Sequence, residues 1–119
     1  MKTAADVVVA LVALLHVYFL VLEMFLWETP RTRRAFGNSV EKAKLSKVLA
    51  ANQGLYNGFL AAGLVWGLWL GAPGHDIKLF FLACVFVAGV FGGFTASRKI
   101  LLVQALPAAV AIVLVLAAR

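Results

Sequence analysis

Val7-Val8-Val9-Ala10-Leu11-Val12-Ala13-Leu14-Leu15 is an unbroken apolar run in which polar and apolar residues never alternate. A half-buried strand alternates with a period of two, and a membrane-spanning strand does the same. Outward from this stretch the apolar character continues over residues 4–27, interrupted by Asp6, His16 and Glu23. At about 1.5 Å per residue, a helix of that length crosses a hydrocarbon core of about 30 Å. In lipid the backbone must satisfy its own hydrogen bonds, so such a run is helical. Three further apolar runs follow, over residues 48–70, 77–94 and 100–118. Between them lie a basic stretch from Glu28 to Lys47 with Pro30 and Gly37, the turn Gly71-Ala72-Pro73-Gly74-His75-Asp76, and a short connector from Thr95 to Lys99. The expected fold is all-α: a polytopic integral membrane protein, one domain over residues 1–119, with four transmembrane helices in a bundle. No small-x-small cleavage site follows the first run, and Trp27 suits an interface, so that segment is expected to be retained.

Composition points the same way. Of 119 residues, 64% are hydrophobic and 13% charged. Soluble domains are about half apolar and about a quarter charged. This balance argues against a soluble enzyme, a disordered tail and a DNA-binding module. The net charge of +6 sits in the connectors rather than along one face. Arg31, Arg33, Arg34, Lys42, Lys44 and Lys47 lie in the first connector, and Arg98 and Lys99 in the third. Lys2, Lys78 and Arg119 fall on the opposite side. The positive-inside rule then puts the first and third connectors in the cytoplasm and both termini outside. The expected partner is the lipid bilayer and not a nucleic acid. Cys84 is the sole cysteine, which leaves no internal disulfide and no cysteine cluster for zinc. With no nucleotide loop, zinc pair or Ser/His/Asp constellation, neither a metal nor a cofactor is expected.

Polar groups within the apolar runs are the candidate functional residues, because an ionisable side chain inside a membrane is costly and usually functional. His16 and Glu23 are seven residues apart and share a helix face. The second run opens with Asn52, Gln53, Tyr56 and Asn57, whose fourfold spacings stack Asn52 on Tyr56 and Gln53 on Asn57. Gln104, in the fourth run, matches their depth, and Pro107 beyond it frees a backbone carbonyl. These residues are expected to form one polar pocket in the cytoplasmic half, with Glu23 in reach of Asn52, Gln53, Tyr56 or Asn57. Arg31, Arg33 and Arg34 are candidates for binding anionic head groups. The pairs Gly54/Gly58, Gly63/Gly67 and Gly89/Gly93 follow the small-xxx-small pattern, which favours close packing or self-association, and a homo-oligomer is expected.

Several stretches together carry a family resemblance. They are His16-Val17-Tyr18, Leu22-Glu23-Met24-Phe25-Leu26-Trp27, Pro30-Arg31 leading to Ala35-Phe36-Gly37, the second-run motif Ala50-Ala51-Asn52-Gln53-Gly54-Leu55-Tyr56-Asn57-Gly58, Ala88-Gly89, and Ser97-Arg98-Lys99 followed by Gln104-Ala105-Leu106-Pro107-Ala108. Over essentially its whole length the chain resembles the bacterial "domain of unknown function 1304" family of small four-span membrane proteins. The resemblance implies a bacterial inner-membrane location and no particular activity. A fainter likeness is to the membrane-associated eicosanoid and glutathione metabolism proteins, but their second-helix arginine and glutamate have no counterpart around Asn52. Small multidrug transporters share the four spans and a first-helix glutamate, here Glu23.

The favoured expectation is a small-molecule binding or transport protein, in which Glu23 and His16 exchange protons and the second-run amides hold a ligand. The alternatives are a membrane-embedded enzyme acting on a lipophilic substrate, with Tyr56 and Arg31 as donors, and a purely structural or interaction subunit.

Overall fold

The computed structural model describes residues 2–119. Its helices are α1 (Lys2–Met24), α2 (Pro30–Phe36), α3 (Val40–Leu45), α4 (Lys47–Leu70), α5 (His75–Thr95) and α6 (Leu106–Ala117), with no strand among the described residues. A 3₁₀ turn, Ala72–Gly74, leads into α5, and a π-helical stretch, Leu101–Ala105, leads into α6. Helix α1 and the stretch Ala72–Thr95 are long and apolar enough to cross a membrane, whereas Leu101–Ala117 is apolar but shorter. Helix α4 has the length, at 24 residues, but its polar opening dilutes its apolar character.

The chain packs as two compact units. The first comprises the chain up to Leu14 together with Leu60–Arg119. Its core joins Val9 and Val12 of α1, Leu64 of α4, Leu82 and Val85 of α5, and Ala108, Ala111 and Val115 of α6. Small residues let the backbones close up. A Cβ on Gly89 would lie 2.8 Å from the backbone nitrogen of Ala105, and one on Gly63 would strike the ring of Phe81. Glycine is also required where α4 ends, because Gly71 turns the chain at φ 67°. Pro107 withdraws an N–H from the α-helical ladder, and the preceding turn widens so that Leu106 N–H donates to Leu101 O.

The second unit is Leu15–Phe59. Here α4 lies against the end of α1: a Cβ on Gly54 would meet Met24 Cγ at 2.7 Å, and one on Gly58 would meet Leu20 Cδ1 at 2.7 Å. The basic connector is not plain coil. Thr29 caps α2, its hydroxyl accepting from Thr32 N–H, and Pro30 occupies the first turn. Gly37 closes α2 at φ 68°. Ser39 caps α3 by accepting from Lys42 N–H. The ends of the connector are tied: Trp27 Nε1 donates to Ser46 Oγ at 3.1 Å, the Trp27 ring packs tilted against Phe36, and Lys47 pairs with Glu28 at 3.2 Å.

Candidate functional site

Apolar side chains dominate α1, so each polar group on it needs a reason to be there. His16 is fully buried, and its ring meets Phe19 edge-on at a centroid distance of 5.4 Å. Two turns on, Glu23 is 9% exposed. Asn57 of α4 reaches it, with Nδ2 donating to Oε1 at 2.5 Å. Asn57 is itself 7% exposed. The glycines flanking it in sequence bring this contact about. Gly54 sits against Glu23 Cβ and Gly58 against Leu20, so the two backbones approach closely enough for a short amide to span the gap.

Of the four polar residues opening α4, Asn57 is therefore the one joined to Glu23. Asn52 and Gln53 are exposed, and Tyr56 is 51% exposed with its ring tilted against Phe59. Gln104 belongs to the other unit, where it lies within the π-helical stretch and donates from Nε2 to Val85 O at 3.0 Å. Arg31 and Arg34 are exposed, while Arg33 is half-buried and donates from Nε to Glu28 O at 3.2 Å.

The pair has a definite chemistry. No lysine, arginine or histidine among the described residues forms an ion pair with Glu23. Its partner is a neutral carboxamide, which donates to a carboxylate and can equally accept from a protonated carboxyl. The contact can thus persist in either protonation state. No grouping of three or more His, Cys, Asp or Glu among the described residues could hold a metal ion.

One buried charge was not among the expected site residues. Lys78 of α5, 6% exposed, pairs with Asp6 of α1 at 3.3 Å. The signal available in sequence was two opposite charges near the ends of two apolar runs, 72 residues apart, with nothing local to couple them.

Comparison with known proteins gives a family without naming an activity. The family described as "Protein of unknown function (DUF1304)" matches residues 10–116. The "Uncharacterized protein YpaA" of Lactococcus lactis subsp. lactis (strain IL1403) is 32% identical over 96 residues, covering 79% of this chain and 81% of the relative. No solved structure matches. The match takes in α1 from residue 10 through most of α6, including Glu23, Asn57 and Gln104. The chain belongs to the DUF1304 family of proteins of unknown function.

Proposed function

We propose that this is a four-span protein of the bacterial inner membrane, with both termini outside, that binds and carries a small molecule bearing a cationic group and exchanges it for a proton at Glu23. The observation that carries the reading is the carboxyl of Glu23, buried on an apolar helix with a neutral amide as its partner and no ion-paired cation among the described residues. A buried charge without a partner is costly, so the group takes a proton or a cation, and the two compete for one position.

The distribution of side-chain size supports the membrane setting. Small residues such as Ala5, Ala13, Ala61, Ala108 and Ala111 are buried, while Leu14, Trp69, Phe80, Phe91 and Phe94 stand exposed. Lipid-facing bundles pack small residues inside and leave large apolar ones to the acyl chains. The exposed row of Asn52, Gln53 and Tyr56 supports association with a second copy, because the glycine pairs are already filled by neighbours within the chain.

The test is titration of the purified protein, in lightly buffered detergent, with tetraphenylphosphonium as probe. Saturable binding with release of about one proton per cation is expected. Glu23→Gln should abolish both while leaving the helical circular dichroism intact. Equal binding by the variant would refute the reading.

A further inference from the structure

The end of the first unit that carries Lys2 and Arg119 holds a cavity of about 540 Å³, distinct from the Glu23 site. That volume is within the range of small-molecule sites, about 300–1,000 Å³. Its walls include Lys2, Asp6, His75, Asp76, Lys78 and Arg119. We propose that this cavity binds a small oxyanion, held by Lys78 and His75 at the start of α5.

Three observations converge on that ligand. Lys78 is buried, and its ammonium, with three donors, makes a hydrogen bond to Asp6 Oδ1 at 3.3 Å. His75 Nε2 is buried with no hydrogen-bond partner among the described residues. A buried polar atom left unpaired is costly, and an anion oxygen would satisfy it. Finally, the 3₁₀ turn Ala72–Gly74 runs directly into α5, neither start is capped by a side chain among the described residues, and the partial positive charge of such a helix start favours an anion. Lys2 and Arg119, both exposed at the rim, add attraction at longer range. Asp6 neutralises Lys78 when the cavity is empty, so an arriving oxyanion competes with Asp6 for the same ammonium. Gly67 makes room for this arrangement, since a Cβ there would lie 2.6 Å from Lys78 Cγ.

Oxyanions reach such a site either free in solution or as the phosphate of a lipid head group, and two titrations separate the sources. The full chain in neutral detergent is titrated with inorganic phosphate, and separately with micelles doped with phosphatidylglycerol. Saturable binding in either arm is expected, weakened about tenfold by His75→Gln, as for loss of one hydrogen bond to a charged group. Lys78→Met should abolish it. Asp6→Asn should tighten it, because the ammonium loses its competing carboxylate; this variant and His75→Gln keep the test decisive if Lys78→Met fails to fold. Response to phosphate assigns a soluble anion, and response to phosphatidylglycerol alone assigns a head group. Absence of saturation in both arms, or binding indifferent to His75→Gln and Asp6→Asn, would overturn the proposal.

Discussion

Asn57 is joined to Glu23 while its neighbours face outward, and the reason lies in the phase of α4. Ala50, Gly54, Asn57, Ala61 and Leu64 are all buried, at spacings that alternate between four and three residues. The small residues mark the inner face, and Asn57 is the polar residue in step with them. That phase was legible in the sequence. Stacking Gln53 on Asn57 as equals obscured it, because Gln53 falls at the edge of the face. Two outcomes follow for stability. Glu23→Leu strands a buried carboxamide and should cost about 1–3 kcal/mol. Glu23→Gln retains a donor and an acceptor for Asn57 and should cost less than about 1 kcal/mol on the same scale. Reversible denaturant unfolding in mixed micelles, followed by circular dichroism, distinguishes them; equal losses would show that the pair is not the stabilising feature.

At the level of elements, two glycines that look alike in sequence should respond differently to substitution. At Gly58 an added methyl meets Cδ1 at the flexible end of the Leu20 side chain, whereas at Gly89 it meets the backbone of Ala105. Alanine also gains about 1 kcal/mol of helix propensity over glycine. Gly58→Ala should therefore be near neutral, and Gly89→Ala should lose about 1–3 kcal/mol by overpacking. The same unfolding assay reads both, and the reverse order would contradict the packing of α5 against the π-helical stretch. Helices α1, α4 and α5 were legible because apolar runs of that length have few other solutions. The helices within the connector were not, because caps such as Thr29 and Ser39 are single polar residues with no long apolar run behind them to mark a helix. They make a prediction of their own: Thr29→Ala should cost about 1 kcal/mol through loss of the α2 cap. An unchanged unfolding midpoint would count against an ordered connector.

For the whole molecule, the proposed orientation gives the proposed proton exchange at Glu23 its direction across the membrane. A periplasm-dependent reporter fused after Arg119 should be active, and one inserted after Asn38 silent. The opposite pattern would invert the orientation without touching the site. The Asp6–Lys78 pair shows what sequence reading misses at this scale: partners 72 residues apart meet only once the helices have packed. The central claim is that Glu23 holds a proton and gives it up to a cation. Hydrophobic carbodiimides react with protonated carboxyls in apolar surroundings, so mass mapping of the labelled protein, with and without saturating tetraphenylphosphonium, tests it most directly. The expected result is one dominant adduct, on Glu23, suppressed by the cation; labelling of Glu23 that the cation leaves unchanged, or no labelling there at all, would contradict the claim.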